Sequence, residues 1–389
     1  SQTAAGLISF TADQTLSGAN VITTTGNINI TDGRTVTNTG SVSISGVLNN
    51  GNTASTWINS DNSTLTYLSG TVPMNTNGTL TASATGNTLI YNRNNTQTVK
   101  ITDYYNLTIA NGSTKTLASN SSFHIYYNLT VASSTTLQAI NADGEGIITI
   151  DGIITNDGTI NFRRSAAQYE DILMTRSGNL ITGSGTSAFA NLKLNNIAAK
   201  TFDITGTVSF SGGNTATRIN AFQNDGGAFS TTASTLQFID ASIFYINGTG
   251  SIELFNFTVG NNTSTEVIMQ KDITVNNNFI LNLANNVTSH LDLNGYDLSL
   301  YGNYSRLNSG DIKGNATSDL VLGNGDAATV SGNLVFETGF QTLNNLTLNA
   351  PSTTYTLGSD LSTTTYNANN GTFTLSGNLT TSNFTSTAG

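Results

Sequence analysis

The sequence predicts an all-β chain, with a right-handed parallel β-helix (solenoid) as the leading architecture. Three observations predict it. Apolar and polar residues alternate with period two almost throughout, as in half-buried strands. Gly, Asn-Gly and Asp-Gly turns interrupt the alternation at short intervals, and only 2 of 389 residues are Pro, so backbone pairing is nearly unobstructed. Finally, YYNLTI at 104–109 returns as YYNLTV at 126–131, 22 residues on, about the length of one solenoid turn. The alternative is a string of tandem antiparallel β-sandwich domains of roughly 100–130 residues each. In that reading SQTAAGLISFTADQTL is a strand donated to a neighbour.

The elements follow in order. Residues 1–84 read as an N-terminal β segment, a candidate cap or donor strand, with NINI at 27–30 and SVSI at 41–44. Residues 85–389 read as the repetitive solenoid. Its clearest strands are ITIDGIITNDGTINF (148–162), SIELFNFTV (251–259) and HLDLNGYDLSLYG (290–302). One stretch has helical texture, SAAQYEDILMTR at 165–176, and it adjoins the densest charge cluster: Arg163, Arg164, Glu170, Asp171 and Arg176. It reads as a short helix or as a charged side loop over 163–176.

The hexamer recurs in looser form as FANLKL, LFNFTV, LNNLTL and SGNLTT. Its central residues Asn106, Asn128, Asn191, Asn256 and Asn345 fall near multiples of 22 apart; the step to Asn378 does not. That period implies roughly 18 coils. Leu107 and Ile109 share parity and face a core. Two residues before Asn stand Tyr104, Tyr126, Phe189, Leu254 and Leu343, all large and apolar. A bend at Asn, which tolerates left-handed backbone, turns both flanks inward and marks one corner of successive coils. Asn side chains stacked there can bond one another in a ladder.

Composition excludes several classes of function. Charged residues are 9% of the chain, against roughly a quarter in ordinary soluble domains. Net charge is −10 and no basic stripe exists, so nucleic acid is not an expected partner. Cys is absent, which removes disulfides and thiolate metal sites. No apolar run reaches the 18 or so residues of a membrane-spanning helix. The start reads as a mature N-terminus or a cut, and the uncapped texture at the end as a polypeptide that continues.

His124 and His290 are the only histidines and lie far apart, no HExxH occurs, and Asp residues in turns match no calcium-loop pattern. No G-x-S-x-G is present. If the solenoid processed polysaccharide, the cluster at 163–176 would be its best acid–base group. The preferred reading is no catalysis, no cofactor and no metal. Tyr104, Tyr105, Tyr126 and Tyr127 fit an internal aromatic stack better than a sugar platform. Asn62, Asn111, Asn262 and Asn315 stand in N-x-[ST] sequons as candidate glycan attachment sites. T-x-T pairs at Thr35/Thr37, Thr64/Thr66, Thr79/Thr81 and Thr372/Thr374 lack one fixed spacing, so exterior strand Thr explains them better than an ice-binding array. Lys100 and Lys193 lie inside strand patterns, where an outward Lys on an edge is a simpler account than a Lys–Asn crosslink.

The stretches TGNTLIYNRNNTQTVKITDYYNLTIANGSTKTL (85–117) and TIDGIITNDGTINF (149–162) resemble the repeat regions of large secreted, adhesin-like surface proteins of bacteria and archaea. The resemblance implies a parallel β-helix in an extracellular, cell-surface protein, with a structural or adhesive role. That role is a stalk or adhesin segment, or a self-assembling filament or sheath subunit. It implies self-association, or continuation of the same polypeptide, and surface glycans as partners. It brings no catalytic residue with it. The alternative function is a β-helix that binds or processes polysaccharide.

Overall fold

The structure is a computed structural model that describes residues 2–31, 33–51, 54–75, 77–119, 121–140, 144–165, 168–211, 220–283, 290–325 and 333–387. The chain is all-β, its parallel strands stacked as a β-solenoid of about 15 turns. The described residues form no helix. The sandwich alternative fails on the strand pairs, since among those described only Arg163–Ser165 with Gln168–Met174 is antiparallel. Contacts divide the chain into two compact units, Ser1–Arg176 with Leu180–Ser187, and Ser177–Asn179 with Ala188–Gly389.

In the first unit each coil pairs in register with the next. Val42, Leu65, Leu89, Leu107, Leu129, Ile154 and Ile181 form one inward column, every member buried. Ile44, Tyr67, Tyr91, Ile109, Val131 and Asn156 form the next, two residues on. The residue between them points outward, giving a file of Ser43, Thr66, Ile90, Thr108, Thr130, Thr155 and Thr182. So the Thr64/Thr66 pair sits in a hydroxyl-rich file although its sequence spacing is irregular. Coil length accounts for this. Successive members of the inward column are 18 residues apart at Leu89–Leu107 and 27 apart at Ile154–Ile181. The longer coil includes the antiparallel pairing of Arg163–Ser165 with Gln168–Met174. A fixed 22-residue period therefore overcounts, and the expected 18 or so coils become about 15.

Corners carry their own backbone acceptors. A side-chain oxygen of Asp or Asn accepts the backbone N–H of the coil above, standing in for a carbonyl. Asp13 accepts from Thr35 at 2.8 Å, Asn27 from Val47 at 2.8 Å, and Asp103 from His124 at 2.9 Å. The second unit repeats the device at Asp272–Asp297, Asp297–Asp319 and Asp360–Asn378. Its core is richer in aromatic residues. Leu236, Phe257, Phe279 and Tyr304 form one column, with Phe257 and Phe279 stacked at 5.4 Å between centroids. Stacking here follows from register, because identical positions meet one coil apart.

Of the two lysines expected to point outward, Lys193 does so and Lys100 does not. Lys100 folds back onto a turn, its Nζ donating to the carbonyls of Met74, Asn75 and Gly78. Lys115 is fully buried, and its Nζ donates to the carbonyls of Arg93 (2.7 Å), Asn95 (3.0 Å) and Gly112 (2.6 Å). Lys200 is buried in the same way against the carbonyls of Asn196 and Asp225. Burial lowers the pKa of all three ammonium groups. Lys193 lies more exposed, 3.1 Å from the Asp225 carboxylate. Replacing Lys115 by Met removes the donor common to three carbonyls, so Lys115→Met is expected to destabilise the first unit by about 1–3 kcal/mol. Denaturant melts should show a lowered midpoint for Lys115→Met and almost none of that shift for Lys193→Met.

Candidate functional site

The five asparagines do not mark one corner of successive coils: Asn106 and Asn128 lead into the column of Leu107 and Leu129, Asn256 into the separate column of Phe257 and Phe279, Asn345 into that of Leu320 and Leu346, and Asn191 into a strand of the 10-stranded sheet. Each immediately precedes a buried residue: Leu107, Leu129, Leu192, Phe257 and Leu346 follow Asn106, Asn128, Asn191, Asn256 and Asn345. Asn106 donates to the Asn87 carbonyl at 2.9 Å, and Asn128 accepts the Ile153 N–H at 3.0 Å. Asn191 is half-buried at the entry to Leu192–Asn196. In the second unit a side-chain ladder runs over three coils. Asn303 donates to Asn278 at 3.1 Å, and Asn278 donates to Asn256 at 3.1 Å. Asn345 closes on the Asp319 carboxylate, 2.9 Å from both oxygens.

The residue two before Asn is buried at Tyr104, Phe189, Leu254 and Leu343. Tyr126 is the exception, at 41% exposure. The cause is a one-residue difference between the two hexamers. Leu107 pairs with Leu129, yet Tyr104 pairs with Ile125. The second corner holds one residue more, Ile125 takes the inward place, and Tyr126 is pushed to the surface.

Of the sequon residues, Asn62 and Asn111 are exposed turn residues with positive φ, 57° and 64°. Asn315 is half-exposed, and its Oδ1 accepts from both the N–H and the hydroxyl of Thr317. The side chain of Asn262 lies outside the described residues.

The charged stretch is neither helix nor loop in its second half, because Gln168–Met174 pairs along its whole length with Gly144–Ile150. Within it Glu170 faces inward and is fully buried, opposite Gly146. A side chain at Gly146 would meet Glu170 Oε2 at 2.3 Å, so the acid depends on that glycine. Burial pushes the Glu170 carboxyl up to about 8, with the Gly146 N–H offsetting part of this and the Asp171 charge adding to it. Arg163 is also buried, whereas Asp171 and Arg176 are half-exposed. The side chain of Arg164 lies outside the described residues.

A second polar cluster, not anticipated from sequence, lies on three strands of the second unit. Glu266, His290 and Asp311 stack in register, as do Ile268, Asp292 and Lys313. Lys313 Nζ lies 2.9 Å from Glu266 Oε1 and 3.9 Å from Glu337 Oε2, and the latter is 3.4 Å from His290 Nδ1. Burial raises the Asp292 carboxyl above its usual range. This is a mutually paired ion network on a sheet face. Among the described residues no group of His, Asp and Glu is arranged to hold a metal ion.

The tyrosines divide between inside and outside. Tyr104 is internal, its hydroxyl 3.2 Å from that of Tyr91. Tyr105 and Tyr127 stack on the outer surface, 5.4 Å apart and 13° from parallel. Tyr126 stacks on His124 at 4.0 Å, and His124 Nε2 lies 2.7 Å from Asp151 Oδ2. Only the length of the second corner brings this surface group together.

Comparison of the chain with protein-family models, with curated proteins and with solved structures returns no match in any of the three. The repeat character expected from the resemblance is present as a β-solenoid. No described helix is long and apolar enough to cross a membrane.

Two outcomes follow from the buried polar groups. Between the ordinary carboxylate range and about pH 8 the folded chain keeps a proton on Glu170 that the unfolded chain has released. Stability is therefore lost as pH rises through that window. Glu170→Gln should flatten the pH dependence of the melting midpoint and raise it at pH 8. In the ladder, Asn278→Ala leaves Asn256 and Asn303 each short of a partner, at a cost of about 1–2 kcal/mol in denaturant melts.

Proposed function

We propose that this chain is a non-catalytic structural and adhesive module of an extracellular surface protein. The observation that carries the proposal is the in-register stacking of one coil on the next. Outward files such as Ser43, Thr66, Ile90, Thr108, Thr130 and Thr155 stay uncharged from coil to coil, with a hydroxyl at every place but Ile90. Such an architecture builds repeated surface rather than a cleft that converges on one substrate. A surface with few charges also offers little electrostatic resistance to contact with another copy, with a continuation of the polypeptide, or with glycans. Within this reading the chain is a stalk or adhesin segment, or a subunit of a filament or sheath. Asn62, Asn111 and Asn315 are accessible enough to carry glycans in such a setting.

Antibodies raised against the purified chain should label intact, unpermeabilised source cells. Labelling seen only after permeabilisation would sink the surface assignment. Polysaccharides incubated with the chain should gain no new reducing ends. Reducing ends that appear, and then vanish in Asp292→Asn or Glu337→Gln, would make the His290 cluster catalytic and overturn the non-catalytic reading.

A further inference from the structure

We propose that the outer tyrosine stack is an incomplete column whose missing rung is filled by a pyranose ring of a neutral polysaccharide. This goes beyond the structural role above and does not depend on it. Tyr105 and Tyr127 occupy equivalent places one coil apart, since the Tyr127 N–H donates to the Tyr105 carbonyl at 2.9 Å. Their rings lie nearly parallel at 5.4 Å, close to the spacing between coils of about 4.8 Å. The ring planes are thus stacked along the direction in which coils succeed one another.

One coil further on, Ile125 pairs with Ile150 and Leu129 with Ile154, which puts Gly152 at the level following Tyr127. No side chain is tolerated there: a Cβ would meet the Tyr127 carbonyl oxygen at 1.5 Å. Gly152 therefore brings no side chain to continue the stack beyond Tyr127, and Tyr127 is 44% exposed. A ring of about a coil's thickness continues the stack at the same separation.

The neighbours of this gap fix the chemistry of its occupant. Asp151 adjoins Gly152, and its carboxylate is joined to His124 Nε2 and to the Thr175 hydroxyl. Each carboxylate oxygen has a further lone pair to accept from a hydroxyl. The Tyr126 ring, stacked on His124, supplies a second aromatic wall that is 41% exposed. An aromatic face beside a hydrogen-bonding carboxylate suits a ring with an apolar C–H face and hydroxyls around its rim. The net charge of −10 and Asp151 itself disfavour polyanions, which selects neutral over acidic polysaccharides.

The test is affinity electrophoresis of the full chain in gels containing hydroxyethylcellulose, dextran, mannan or galactan, with polygalacturonate for comparison. At least one neutral polymer should retard the chain. Tyr127→Ala should weaken that retardation about tenfold, and Asp151→Asn should weaken it several-fold. Phe384→Ala, which removes a ring that is 63% exposed elsewhere on the chain, should leave it unchanged. Should Tyr127→Ala lose its far-ultraviolet β signal, Tyr127→Leu, which keeps the bulk but not the flat ring, gives the same reading. Failure of all four neutral polymers to retard the chain overturns the proposal. So does retention by polygalacturonate alone, or an equal effect of Tyr127→Ala and Phe384→Ala. None of these results bears on the cell-labelling experiment, so the two readings fail separately.

Discussion

In-register parallel pairing is the constraint from which the other features follow. Each residue sits about 4.8 Å from its counterpart one coil away, so every side chain meets a near copy of its own environment. Apolar columns satisfy this by packing and aromatic columns by stacking. A column of like charges has no such solution. Asp272, Asp297 and Asp319 come closest to one, and there burial, followed by the charges of Asp319 and Asp272, raises the Asp297 carboxyl above its usual range. Each of these acids is retained in a definite task, since Asp272 and Asp297 accept the backbone N–H of the next Asp. The scarcity of charge, 9% of residues, is then a property of the architecture. Thr, Ser and Asn keep a surface wet without repelling themselves from coil to coil.

Asparagine suits stacked positions for a second reason. Its amide both donates and accepts, so a file of Asn is self-satisfying where a file of Asp is not. The Asn256, Asn278 and Asn303 ladder shows this among half-buried residues, and Asn38 with Asn59 shows it in the buried interior, at 3.2 Å. Where a corner leaves several carbonyls converging, a lysine ammonium with three donors meets them, as at Lys115. These groups are polar yet structural, which separates them from the surface cluster around Tyr127.

The sequence made the strand alternation legible because an inward column needs apolar residues at every second place, and Leu107 with Ile109 obey that rule. It showed that the asparagines of the recurring hexamer precede inward residues, but not that Asn191 opens a strand of a different sheet from Asn106 and Asn128. Four other things escaped it. Tyr126 shares its local sequence with Tyr104, and only the pairing of Tyr104 with Ile125 reveals the additional corner residue that turns it outward. Lys115 in STKTL is indistinguishable in pattern from an exposed strand lysine, since its burial depends on carbonyls 20 and 22 residues earlier. The Glu266, His290 and Lys313 network is likewise spread over three coils and has no local signature. Gly152 looked like an ordinary Asp-Gly turn until its register with Tyr127 was known.

Coil length varies here while the sheets keep register, with 18 residues at Leu89–Leu107 against 27 at Ile154–Ile181. A chain of this kind is free to gain or lose residues at its corners with little effect on the columns that hold it together. What holds the molecule together is thus written across the coils, Leu over Leu and Thr over Thr, rather than along the chain.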